Sequence, residues 1–164
     1  MNGKGDGLLR YTDEDFTAIM DKYGDMVLRI CYVRLRNFFD AEDAFQDVFI
    51  SLYKAANKPQ ENYLKPWLIK TACNKCTSFL RSKKTTIELD DNASIAFPQY
   101  DNTIEKAILS LKKNERTAIY LFYYENLSAK EIAQTLNLTE GNVRVILHRA
   151  RQELKEILKE DYFE

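Results

Sequence analysis

Apolar residues recur at three- and four-residue spacing along most of this chain, a period that predicts helices rather than strands. The first helix is expected to open at Thr12 or Asp13 and to turn Phe16, Ile19, Met20, Tyr23, Val27, Ile30 and Cys31 to one side. A second, starting near Asp40, directs Ala44, Phe45, Val48, Phe49 and Leu52 inward. A polar loop runs from Asn57 to Asn62. Pro66 then suits the first turn of a third helix, where a missing amide costs nothing. Its apolar arc is Leu68, Ile69, Ala72, Cys73, Cys76, Phe79 and Leu80. The period stops over residues 85–100, which are acidic and broken by Pro98, and this marks a linker. It resumes in two short helices, about Asn102 to Ser110 and Asn114 to Tyr124. The expected fold is all-α. Two small helical domains, 12–84 and 101–164, are joined by a flexible acidic linker, 85–100. A Gly-rich tail, 1–11, is read as disordered.

The second domain closes on a helix-turn-helix pattern. Ser128 and Glu131 have the spacing of a capping box. Ile132, Ala133 and Leu136 give the helix they open one apolar side, and the small Ala133 lets another helix cross closely. Asn137 is the best non-glycine residue for a turn that needs positive φ. Thr139 can cap a longer helix, with Val143, Ile146, Leu147, Ala150, Leu154 and Ile157 on its inner side. The other side carries Gly141, Arg144, Val145, His148, Arg149 and Gln152, donors and one methyl-bearing side chain suited to phosphates and base edges. Two ordinary amphipathic helices with a solvated basic face would share the periodicity. The cap, the small crossing residue, the Asn turn and the exposed Val all agree on duplex DNA.

Charge changes the picture through its distribution. The net charge is −1, so no global field advertises nucleic acid. Yet residues 65–84 hold six cations (Lys65, Lys70, Lys75, Arg81, Lys83, Lys84) and no acid, whereas 85–110 hold five acids against Lys106. On the third helix Trp67 falls opposite the apolar arc, beside Lys70, Thr71, Asn74, Ser78 and Arg81. A base of a single strand could stack on the indole while the cations hold phosphates. Equally, Trp67 could fold under the loop at 57–63 as local core. On the second helix Asp43, Gln46, Asp47, Ile50 and Lys54 share the outer side. Such a face is commonly only solvated, but Ile50 among acceptors hints at a protein partner.

Little in the chain suggests catalysis. His148 lacks a paired nucleophile, and there is no Gly-rich phosphate loop and no cluster with metal-ligand spacing. Cys73 and Cys76 match a C-x-x-C spacing but fall mid-helix, where two core thiols are the better account. With Cys31 they make an odd number, against a disulfide framework. Neither a signal peptide nor a membrane-length apolar run is present, so a cytoplasmic protein without membrane insertion is expected.

In this order the two domains resemble a bacterial RNA polymerase sigma factor of the extracytoplasmic-function type, over about residues 12–84 and 101–158. Asp40-Ala41-Glu42-Asp43-Ala44-Phe45-Gln46-Asp47-Val48-Phe49 is similar to the family's "DAEDLVQEVF" stretch. That resemblance implies polymerase docking by Asp43, Gln46, Asp47 and Ile50. Leu64 to Lys70, and Asn74 through Phe79-Leu80-Arg81, resemble the segment that captures the melted strand of the minus-ten element. It implies strand contacts by Trp67, Lys70, Asn74, Ser78 and Arg81. Asn126 to Arg151 is similar to the minus-thirty-five reader, implying duplex contacts by Thr139, Gly141, Asn142, Arg144, Val145, His148, Arg149 and Arg151. There are departures: Cys73 and Ser78 stand where Arg and Asp are common, and Asn137 replaces the usual turn Gly.

The resemblance implies a DNA-binding initiation factor, not an enzyme, with no cofactor and no metal. Its partners would be core RNA polymerase and promoter DNA, with an anti-sigma protein as a further candidate. One rival reading is a stand-alone helix-turn-helix regulator with an N-terminal sensing or dimerisation domain. Another is a protein-interaction module that has lost DNA binding.

Overall fold

The structure, a computed structural model, describes residues 11–55, 57–83 and 103–163, with side chains to residue 159. The tail before residue 11 and the linker expected at 85–100 lie outside the described residues. Within them all regular structure is helical: α1 (Asp13–Leu35), α2 (Phe38–Lys54), α3 (Glu61–Lys83), α4 (Thr103–Ser110), α5 (Lys113–Tyr123), α6 (Ala129–Leu136) and α7 (Glu140–Phe163).

Local chemistry sets the helix ends. Thr12 caps α1 through a reciprocal box with Asp15, and Arg36 ends it in the left-handed region at φ 54°. Tyr11, assigned above to the disordered tail, instead donates its hydroxyl to the Pro59 carbonyl at 3.4 Å and lies under the Lys58 ammonium. The second helix begins at Phe38, earlier than expected, because the Asn37 side chain accepts the Asp40 amide at 3.0 Å. The third begins at Glu61, which places Pro66 inside it rather than in its first turn. The amide that Pro66 lacks would have reached the carbonyl of Asn62, an exposed residue whose carbonyl water can satisfy instead.

α1, α2 and α3 pack pairwise into one bundle. Its centre is Val27, Ile30, Cys31, Ala44, Val48, Leu52, Leu68, Ile69, Ala72 and Cys76, each at most 1% exposed. Phe79 and Leu80, expected in that core, are only half-buried, Phe79 lying under the Lys83 ammonium near the end of α3. In the second unit α5 is the central element, packed by α4, α6 and α7. It is buried continuously from Glu115 to Leu121, because α1 of the first unit covers it too. α3 likewise meets α6, so a single apolar core runs through both units.

Candidate nucleic-acid and polymerase interfaces

The helix-turn-helix is built as its residue types dictate. The Glu131 amide donates to Ser128 Oγ at 3.2 Å, and the Ser128 amide donates back to Glu131 Oε2 at 2.7 Å. These bonds favour the carboxylate and hold Glu131 below the usual glutamate range. Asn137 makes the turn in the left-handed region, φ 56° and ψ 45°, and Ala133 is buried where α6 crosses α7. Thr139 Oγ1 accepts the Asn142 amide at 3.2 Å and so caps α7.

α7 is anchored by few residues. Val143, Leu147 and Ala150 are buried and Ile146, Leu154 and Ile157 half-buried. Thr139, Gly141, Asn142, Arg144, Val145, His148, Arg149, Arg151 and Gln152 are all exposed, with Val145 an isolated apolar spot among polar neighbours. A Cβ built on Gly141 would meet nothing within 4 Å, so no internal packing calls for a glycine there. Arg144 pairs with Glu140 at 2.6 Å along the same helix, an exposed pair that can exchange for a phosphate at little cost. Arg151 is placed differently from its neighbours. Its Nε donates to Tyr123 Oη at 2.8 Å, and its guanidinium lies 5.2 Å from the Phe122 ring.

On α3 the polar residues Lys70, Asn74, Ser78 and Arg81 form an exposed row. Trp67 sits at its border, half-buried and packed against the core, so the indole combines features of both readings. Two cations of the basic stretch are engaged elsewhere. Lys65 pairs with Glu125 of the second unit at 3.1 Å, and Lys83 pairs with Asp40 at 2.6 Å while lying over the Phe79 ring.

On α2 Asp43, Gln46, Asp47 and Ile50 are exposed together. Sequence reasoning missed that Phe39 and Tyr53, each 64% exposed, continue this ridge at both ends. The signal was available in their three- and four-residue spacing from Asp43 and Ile50.

Cys31, Cys73 and Cys76 are buried in the first unit. Burial pushes the Cys73 thiol up to about 12, and a hydrogen bond between Cys31 and Cys76, together with burial, raises Cys31 as well. Thiols held protonated in a core are poor nucleophiles and poor metal ligands.

Sequence patterns cannot reveal two buried arginines at the junction of the units. Arg116, on α5, donates Nε to the Val33 carbonyl, Nη2 to the Arg34 carbonyl at 2.8 Å and Nη1 to the Leu111 carbonyl at 3.0 Å. Arg34 donates to Thr117 Oγ1 at 3.3 Å and to Thr77 Oγ1 at 2.9 Å. Burial, with the Arg36 and Arg34 charges, draws Arg116 down to about 10, so it stays cationic at neutral pH.

Comparison with known proteins decides between the readings. Residues 19–86 match the family model "Sigma-70 region 2", and residues 101–154 match "Sigma-70, region 4". The chain is 30% identical over 171 residues to the ECF RNA polymerase sigma factor SigW of Bacillus subtilis, covering 90% of this chain and 91% of that protein. The chain belongs to the ECF family of RNA polymerase sigma factors.

This sigma factor is also 27% identical to SigM of B. subtilis, over 84% of its own length and 91% of that protein. Its fold is that of the Bartonella quintana sigma factor RpoE, solved with the anti-sigma factor NepR. There the TM-score is 0.70 at 21% identity, covering 89% of this chain and 98% of that one. CnrH, solved with the cytosolic domain of CnrY, matches at TM-score 0.64 and 18% identity over 92% and 91% of the two chains. As a sigma factor the protein binds core RNA polymerase and directs promoter-specific initiation, and the stand-alone regulator is not favoured. Sigma factors are regulatory DNA-binding proteins rather than enzymes. Among the described residues no helix is long and apolar enough to cross a membrane.

Proposed function

We propose that this sigma factor divides its work among three exposed helix faces. The α2 ridge of Asp43, Gln46, Asp47 and Ile50 docks on core polymerase. The α3 row of Lys70, Asn74, Ser78 and Arg81, with Trp67 at its edge, captures the melted minus-ten strand. The outer face of α7, from Thr139 to Arg149, reads the minus-thirty-five duplex. Arg151, seated on Tyr123, flanks that reader at the α5 end. No centre for chemistry is required, and the protein works in the cytoplasm alongside the polymerase.

The observation that carries this reading is the simultaneous exposure of all three rows, while each helix spends its other side on the core. An apolar spot is kept in two of them, Ile50 at 47% and Val145 at 46% exposed. An anti-sigma protein is proposed as a further partner, because two solved sigma factors of this fold, RpoE with NepR and CnrH with CnrY, are complexes of that kind.

The docking face is tested by Gln46→Ala combined with Asp47→Lys. Both positions lie outside the core, so stability should change by only about 0.5 kcal/mol, while retention of purified core polymerase falls. Unchanged retention by the folded double variant would reject α2 as the docking face.

A further inference from the structure

Tyr63, in the first turn of α3, is 59% exposed, and its ring meets no aromatic or cationic partner among the described residues. The other exposed tyrosines and phenylalanines described are each engaged: Phe39 with Phe38, Tyr53 with Phe16, Tyr123 with Arg151 and Tyr124 with Tyr120. A single exposed ring is ordinary by itself. Its register is what gives this one meaning. At about 100° per residue, Tyr63 lies within about 20° of the line through Lys70, Asn74 and Arg81. The fully buried Ala72 stands on the opposite side of the helix. Tyr63 therefore begins the exposed α3 row one turn before Trp67 and lengthens it by about 6 Å.

Charge says what kind of partner suits this ring. Residues 62–84 contain no acid, so the row that Tyr63 opens is purely basic and polar. Glu61 is close in sequence but falls about 160° away around the helix, lining a cleft against α1 with Asp15 and Lys58. The α2 ridge, by contrast, sets its apolar residues beside Asp43 and Asp47. A basic face with an aromatic ring on its centre line suits a single strand, which offers phosphates and unstacked bases together.

We infer that Tyr63 is a further contact for the melted strand: its ring stacks on one base next to the part met by Trp67 and Lys70, and so extends the captured strand by one nucleotide. The inference rests on the assignment of α3 to that strand. Every base has a π-face, so the contact adds affinity without reading sequence. In a closed duplex the bases are stacked on one another and offer the ring no face. Its contribution is thus confined to the melted state, and the phenol hydroxyl is not needed for it.

The test compares holoenzyme formed with the wild-type chain, Tyr63→Ala or Tyr63→Phe. Each is titrated against the single-stranded minus-ten element of a promoter selected from a random library, with an abasic nucleotide placed at each position in turn. An abasic nucleotide keeps the phosphate and removes the base. Tyr63→Ala should bind the intact strand about tenfold more weakly, within the range of one lost stack. It should also become insensitive to the abasic nucleotide at one position, at one end of the contacted bases, because both changes remove the same contact. At the other positions it should respond as the wild type does. Tyr63→Phe keeps the ring and should match the wild type throughout. Undiminished strand affinity in Tyr63→Ala, with native circular dichroism, would overturn the inference. So would full abasic sensitivity at every position, or weaker retention of core polymerase, which would place the ring on protein. Lys70→Ala separates this contact from the reading beneath it. If neither substitution weakens strand binding, α3 is not the capturing helix; if Lys70→Ala alone does, only the Tyr63 contact fails.

Discussion

α3 and the first half of α7 carry the basic faces of this sigma factor, and the two helices are built into the molecule in opposite ways. α3 buries Leu64, Leu68, Ile69, Ala72, Cys73 and Cys76 across about three turns of contact with α1 and α2. Its exposed row is narrow, and its one indole is shared with the core. Among its described side chains α7 is buried fully only at Val143, Leu147 and Ala150, so most of its circumference there projects into solvent. A helix that must enter a groove about 12 Å wide has to protrude. A surface that holds a flexible strand needs only a rigid platform with stacking and charge at its rim. On the assignment proposed above, a basic face would serve two forms of DNA according to how much of each helix the core claims.

The largest effect should come from removing what lets α7 protrude. Leu147 is 3% exposed and touches only the protein, yet Leu147→Ala should cost about 2–5 kcal/mol of stability. Duplex binding should weaken with it, because the reading face is held by so few anchors. Thermal unfolding followed by circular dichroism, beside duplex binding, checks this. Undiminished stability would mean that α7 is held by contacts other than its buried side.

Trp67→Ala sharpens the comparison from the other side. A lost base stack is worth roughly 1–3 kcal/mol, and it should be felt only after the duplex melts. Open-complex formation should suffer more than initial promoter binding. Permanganate footprinting reports the melted bases, and the unfolding temperature of the same variant reports the packing share. Normal melting by a stably folded Trp67→Ala protein would remove the indole from the strand site.

The smallest effect concerns the cap that aims the reader. The Glu131 carboxyl is held below its usual range by the Ser128 amide, so its folded-state value is depressed relative to the unfolded chain. Its contribution is therefore fully present above the ordinary glutamate range and is lost as pH falls through the lowered value. Amide exchange in the first turn of α6 should accelerate over that acid window. Glu131→Gln keeps the box geometry but cannot titrate, so its exchange should lack this step. The same acid dependence in both proteins would place the titrating group elsewhere.

What was legible in the sequence was whatever a short window decides. The Ser128–Glu131 box, the Asn137 turn, the Thr139 cap and the exposed row on α7 follow from neighbours within one or two helical turns. The Asn37 cap was equally local, but it precedes two aromatic residues and was overlooked. Pro66 misled because proline favours a first turn, whereas here the exposed N-terminal end of α3 tolerates the lost amide. Arg34, Arg116 and Thr117 lay beyond reach. Their partners are some eighty residues apart, and a guanidinium capping a distant helix has no periodic signature. The contact of Arg151 with Tyr123 was out of reach for a related reason, since its partner lies twenty-eight residues away.

The central claim is that α3 and α7 read different forms of the same promoter, and crossed binding tests it most directly. Holoenzyme would be formed with Arg149→Ala or with Lys70→Ala, both at exposed positions. Each would be titrated against the minus-thirty-five duplex and the single-stranded minus-ten element of a promoter that the wild-type holoenzyme selects from a random library. Arg149→Ala should lose about 1–3 kcal/mol on the duplex and nothing on the single strand. Lys70→Ala should spare the duplex and lower the single-strand salt slope by about 0.7, one phosphate contact fewer. Equal losses on both ligands from either substitution, or the reverse pairing, would contradict the division of labour between the two helices.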